Sequence, residues 1–298
     1  MSKPILSPKS DFIFKLVFGE QRNVDVLADF LQAVLDIPPE DYDTLTIIDP
    51  NIKRETFDDK AGVLDVKLKT KSGTIIDIEI QVDSYLPLRE RIAYYVSKMI
   101  TEQIGKGQKY NVIKRVISVV ITDFAVLGGS PDYHHAFRLY DAKHDIELTD
   151  LVEIHTLELP KLPIRQDGSE LWNWLKLFDT QKEEDLTMLA EQKPMLRKVV
   201  GILQELSQDE RARLLYEQQE KWRMDYESSM SNAVQIGMKK GLEEGLEKGL
   251  EQGLEKGLEQ GLEQGMKQGR RETAKKMKAD GLSVSMIATY TNLSHGRD

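Results

Sequence analysis

The run VLDVKLKT at residues 63–70, the triplet KSG at 71–73 and the run TIIDIEIQV at 74–82 decide the fold of this chain. Both runs are rich in β-branched residues, and Gly73 supplies the positive φ a tight turn needs, so the segment reads as a β-hairpin. Side chains alternate across a strand. Leu64, Val66, Leu68, Ile76, Ile78, Ile80 and Val82 therefore share one face, which is the core face. The opposite face carries Asp65, Lys67 and Lys69 on the first strand and Asp77, Glu79, Gln81 and Asp83 on the second. A three-residue loop pairs Thr70 with Thr74, sets Asp65 opposite Glu79 and Lys67 opposite Asp77, and brings two carboxylates to about 5 Å apart at Cβ.

Facing carboxylates repel, and two readings answer that repulsion. The simpler one is a solvated outer face, ordinary for an amphipathic hairpin, with Lys67 and Asp77 as a cross-strand ion pair. The other puts a divalent cation between the acids, because Mg²⁺ takes oxygen ligands, commonly one or two carboxylates with waters and substrate phosphates.

Outward from the hairpin, residues 24–35 place Val26, Leu27, Phe30, Leu31 and Val34 at helical spacing, and Pro38-Pro39 ends the helix. Residues 45–52 read as a strand, with Pro50 marking an edge or a bulge. Residues 88–104 repeat Ile92, Tyr95, Val96, Met99 and Ile100 as a helix, and residues 114–124, apolar on both faces, read as a central covered strand. The order is α-β-β-β-α-β, with residues 137–140 and 157–159 as candidate edge strands. Residues 161–235 read as helical.

The chain has 298 residues, enough for about two domains. Its 41 basic and 50 acidic side chains leave a net charge of −9, so it is no polycation built to coat nucleic acid; contact with DNA has to be local and metal-assisted. There is no cysteine, hence no thiolate metal site. No apolar window reaches the roughly 18 residues a bilayer span needs, since the longest run, residues 116–121, is interrupted by Ser118. The start MSKPILSP has no apolar stretch of the secretory kind, so a cytoplasmic protein is expected. His134 and His135 point to opposite faces of any strand and no i, i+4 histidine pair exists, which speaks against zinc.

The stretch SDFIFKLVFG at residues 10–19, VLDV at 63–66 with DIEIQ at 77–81, and Arg91 followed by Tyr94-Tyr95 together resemble the recombination-promoting nuclease family, also labelled transposases, of the PD-(D/E)XK nuclease superfamily. The likeness runs over roughly residues 10–130, and the glycine-rich carboxy-terminal end is similar too. It implies an α/β fold with a restriction-endonuclease-like αβββαβ core, and a DNA endonuclease dependent on Mg²⁺ (or Mn²⁺) and associated with recombination, mobile elements or defence. By position it implies Asp65 and Glu79 as metal ligands, with the backbone carbonyl of Ile80 as a third. Gln81 stands where the superfamily usually has Lys. Glutamine can orient a water but carries no charge, so either Lys67, on the same face, supplies the cation or activity is reduced. Asp11 and Lys15 read first as helix capping and surface charge, with a place at the site or on DNA as the alternative. Arg91 reaches a phosphate from the helix after the hairpin, or else forms a surface ion pair. The alternative to an enzyme is a degenerate nuclease fold acting as a DNA- or protein-binding oligomeric module.

Glycine recurs at every fourth position from Gly237 to Gly269, nine times, mostly followed by Leu and Glu. Each four-residue step advances about 40° beyond a full helical turn, so the Gly and Leu rows wind around the helix and a heptad coiled coil is a poor description. Nine interior glycines cost on the order of 9 kcal/mol relative to alanine. An isolated helix should therefore melt, and the segment is either a low-complexity linker or a helix whose glycine row admits a second backbone. The second is preferred, because a linker has no need of Leu at a fixed offset. The tail, residues 271–294, looks like the first part of a helix-turn-helix with Ser283 as cap; the four residues after it are too few for a recognition helix. The expected layout is a nuclease-like domain at 1–160, a helical region at 161–235, the repeat at 236–270 and a short helical tail at 271–298. The expected partners are DNA and further copies of the chain, a dimer being favoured, with no membrane.

Overall fold

A computed structural model describes residues 3–49, 65–82 and 87–293. Val63, Leu64, Asp83 and the part of the expected strand from Pro50 onward lie outside the described residues. The chain separates into two compact units, Met1–Lys221 and Trp222–Asp298.

In the first unit, α1 (Asp11–Phe18) and α2 (Val24–Val34) precede three strands, β1 (Thr46–Ile48), β2 (Val66–Lys69) and β3 (Ile75–Gln81). Then come α3 (Leu88–Thr101), β4 (Val116–Thr122), β5 (His134–Asp141), β6 (Ile146–Glu158), α4 (Glu170–Asp179), α5 (Glu183–Gln192) and α6 (Pro194–Gln208). The strands form one six-stranded mixed sheet in the order β1-β2-β3-β4-β6-β5. β3, β4 and β6 run parallel, and the remaining pairs are antiparallel. This mixed α/β architecture fits a PD-(D/E)XK-like core. The residues at 157–159 do not form an edge strand: Leu157 and Glu158 end β6, a 13-residue interior strand, Leu159 opens the 3-10 turn that follows, and β5 is the edge. Glu153, His155 and Thr156, all buried within β6, break the apolar pattern that otherwise marks a covered strand.

The sheet is covered on both faces. Ile76, Ile78, Ile80, Ile117, Val119 and Ile121 pack with α1, α2 and α4 to α6 around an aromatic centre. There Phe30 meets Trp174 at 5.6 Å between ring centroids and Phe18 meets Phe178 at 5.4 Å. Such pairs add about 0.5–1.5 kcal/mol each to the area they bury. On the other face, Val116 and Val120 pack against Leu88, Ile92, Val96 and Met99 of α3. The apolar stripe of α3 thus pins the helix over β4, and the neighbouring stripe of the same helix comes to lie over β2 and β3.

The helix α7 (Glu210–Ala279) runs for 70 residues and includes the whole glycine repeat; α8 (Val284–Thr291) follows. The repeat is helical despite the propensity cost. Among the described residues, a Cβ added at any of its nine glycines would meet nothing within 4 Å. Its leucines, from Leu242 to Leu262, are 63–77% exposed. Gly281, at φ +85°, lies between the two helices. Ser283 occupies the N-cap position of α8, yet its hydroxyl meets Ser285 Oγ at 3.1 Å and caps no backbone N–H.

Candidate active site

The hairpin register is the one alternation predicts, with Val66 opposite Ile78 and Lys67 opposite Asp77. The turn closes through Thr70 N–H donating to Thr74 O at 3.0 Å, and Gly73 takes φ +93°. Asp65 stands just before β2, and its Oδ2 accepts from Ile80 N–H at 2.9 Å. That bond holds its carboxylate at the end of β3 where Glu79 and Gln81 lie.

Most of the charged face of this hairpin is not solvated, although Lys69 at its end is exposed. Lys67, Asp77, Glu79 and Gln81 are 6%, 1%, 3% and 8% exposed, because α3 lies over them. From α3, Arg91 Nη2 donates to Glu79 Oε2 at 2.9 Å and to Gln81 Oε1 at 2.6 Å. The Tyr95 ring, one turn on, lies 5.7 Å from the guanidinium carbon. The Lys67–Asp77 ion pair is also corrected. Although opposite Asp77 in register, Lys67 directs its ammonium to Glu102 Oε2 at 3.2 Å. Asp77 Oδ2 instead accepts from Ser118 Oγ at 3.1 Å, and its Oδ1 has no partner.

Asp11 and Lys15 do more than cap a helix. The N-cap position of α1 belongs to Ser10, whose side chain makes no capping bond. Lys15 Nζ lies 2.8 Å from Asp11 Oδ1 and 3.2 Å from Asp65 Oδ1, which draws the start of α1 to the hairpin. The structure therefore brings together Asp11, Lys15, Asp65, Glu79, Gln81 and Arg91, with Ile80 joined through its backbone, and turns Lys67 aside.

Burial first, then the Asp11 carboxylate, pushes Asp65 up to about 8, against the opposing pull of Ile80 N–H and Lys15. Burial would raise Asp11 as well, but its bonds with Asp65 and Lys15 outweigh that and hold it below the usual range. The pair is thus pulled in opposite directions, Asp65 towards the protonated and Asp11 towards the ionised form. Burial raises Glu79 despite the Arg91 guanidinium, and burial together with the Glu79 charge raises Asp77 well above the carboxylate range. Four carboxyl groups crowd one region, and protons, Lys15 and Arg91 reduce their repulsion. Among the described residues no three His, Asp or Glu side chains stand in metal-ligand geometry. The donor chemistry, carboxylate and carbonyl oxygen only, is nonetheless that of a hard divalent cation.

A six-stranded mixed sheet with buried acids at adjoining positions of a β-hairpin, covered by one helix, defines a nuclease-like α/β protein. The chain belongs to the PD-(D/E)XK nuclease family transposases, whose family model matches residues 8–233. No curated protein and no solved structure matches it. No helix among the described residues is long and apolar enough to cross a membrane.

Tyr95, Glu102, Asp77 and Ser118 are the parts of this cluster that sequence reasoning missed. Two had a visible signal. Ser118 is the lone polar interruption of an apolar strand, and Arg91 and Tyr95 are four apart, next to the apolar stripe of their helix.

Proposed function

We propose that this protein is a divalent-metal-dependent DNA endonuclease hydrolysing phosphodiester bonds, with Asp65 and Glu79 as its metal-holding carboxylates. The observation that carries the reading is that Glu79 is buried and that Asp65, half-buried, is fixed to the backbone of Ile80, the residue after Glu79. Taking a carboxylate such as Glu79 out of water is costly. Asp65, Glu79 and the Ile80 carbonyl would hold Mg²⁺ or Mn²⁺, with Lys15 yielding an Asp65 oxygen to the ion while Arg91 keeps Glu79 Oε2 and leaves Oε1 for it. The chemistry supplied by such an ion is an acidified water and a counter-charge for the phosphate. The chain's own residues bind, orient and neutralise. Arg91 meets the polyanion, Lys15 balances the charge of the acids, and Gln81, which takes no proton, serves only by hydrogen bonding. DNA is the substrate class that family membership implies.

A second reading, a degenerate fold that binds DNA or protein without cutting, is favoured by one feature: both acids are already paired with cations. Plasmid cleavage separates the two. With Mg²⁺ or Mn²⁺ but not EDTA, the wild type is expected to nick or linearise plasmid, and Asp65→Ala and Glu79→Ala to lose at least about 100-fold of that rate. Absence of cleavage, or cleavage unaffected by both substitutions, moves the conclusion to the binding module.

A further inference from the structure

We infer that Arg91 supplies the positive charge that Gln81 cannot, as the catalytic residue that grips the scissile phosphate, and that Gln81 is the tether that aims it. The inference rests on the nuclease reading above. Hydrolysis of a phosphodiester builds negative charge on phosphate oxygens, and a cation already in place there is worth far more in a partly dry site than in water. Among the described residues, three cations lie near the acids. Lys67 is turned to Glu102 with its side chain only 7% exposed, and Lys15 is committed to Asp11 and Asp65. Arg91 spans Glu79 and Gln81 through Nη2 alone. Its Nε is buried and without a partner, and 27% of its side chain is exposed. Its other terminal nitrogen makes no hydrogen bond among the described residues and the side chain is partly exposed, and a guanidinium matches phosphate in two-pronged fashion as an ammonium does not.

The neighbours of Arg91 are those of an aimed group. Gln81 presents its amide oxygen, the only end of that amide that can accept from a guanidinium, at 2.6 Å. On this account it directs Arg91, and has no need to orient a water. Tyr95 is a positioning residue whose ring backs the cation at 5.7 Å. Glu79 fixes the far side at 2.9 Å, so the guanidinium sits between one acid and the end of β3.

The test compares full-length wild type, Arg91→Ala, Arg91→Lys and the double variant Arg91→Ala/Gln81→Lys. It measures single-turnover cleavage of duplex DNA with Mn²⁺, DNA affinity without added metal, and melting temperature. Arg91→Ala is expected to slow cleavage at saturating DNA about 100-fold while weakening binding less than about tenfold, because the lost charge acts mainly on the reacting state. The double variant is expected to regain about tenfold or more, since it returns a cation to the end of β3. If wild type cleaves and a folded Arg91→Ala cleaves within about threefold of it, the inference is wrong while the nuclease reading stands. A folded double variant no faster than Arg91→Ala overturns it as well and leaves Arg91 as a structural partner of Glu79. If Arg91→Ala does not fold, Arg91→Lys decides, because it keeps a charge on Glu79 but cannot hold Glu79, Gln81 and a phosphate together. About tenfold slower cleavage supports the inference and a wild-type rate overturns it. If the wild type itself does not cleave, the nuclease reading falls first and this inference with it.

Discussion

At Asp65, burial and a neighbouring carboxylate act against one backbone N–H and one ammonium, and burial prevails: the group is pushed up to about 8. The consequence for stability has a definite sign. An acid raised on folding keeps a proton that the unfolded chain releases near pH 4, so its contribution is full below that point and is lost as pH climbs towards 8. Asp65→Asn resembles the protonated group and keeps an oxygen for Ile80 N–H. At about pH 8 it is predicted to raise the melting temperature by roughly 5 °C, a gain that largely disappears at about pH 5. A lower melting temperature at pH 8, read by calorimetry, would show that the pair with Lys15 outweighs burial.

Among elements, the hairpin and the helix α3 were legible, and what α3 covers was not. Period-two alternation and Gly73 were enough to set the register, because shifting it by one residue would have moved Ile76, Ile78 and Ile80 off the core. Gly73→Ala tests the turn. With φ at +93° and a new Cβ 3.3 Å from Lys114 Cγ, it should cost about 1–2 kcal/mol in urea unfolding, and an unchanged midpoint would contradict the strained-turn reading. What alternation could not reveal is what covers the charged face. A row of acids and lysines looks the same under water as under a helix, and here the cover comes from Arg91 and Glu102, paired with residues 10 to 35 positions away. Lys15, 50 positions from Asp65, was equally out of reach, although its place in the motif at residues 10–19 marked it. The same limit hid β6, whose buried Glu153 is satisfied by Arg138 from β5 and by Arg115 just before β4.

For the whole molecule, the family match ends at residue 233, just before the repeat begins at Gly237. Propensity argues that nine glycines cannot sustain a lone helix, and α7 holds them all with no contact at their open side. A second copy of the chain is the expected source of the missing contacts. Removing residues 237–269 is predicted to lower the light-scattering mass from a multiple of 34.1 kDa to that of a single shortened chain, and an unchanged oligomer number would return the repeat to the role of linker. Pairing of chains would also place two sites on one duplex, as double-strand cleavage requires when each site cuts one strand. All of this depends on whether the buried acids hold a metal ion. Isothermal titration of Mn²⁺ into wild type, Asp65→Ala and Glu79→Ala at about pH 8, where Asp65 can release its proton, asks that directly. The account predicts saturable binding to the wild type that both substitutions abolish; equal binding by all three proteins, or none by the wild type, would contradict it.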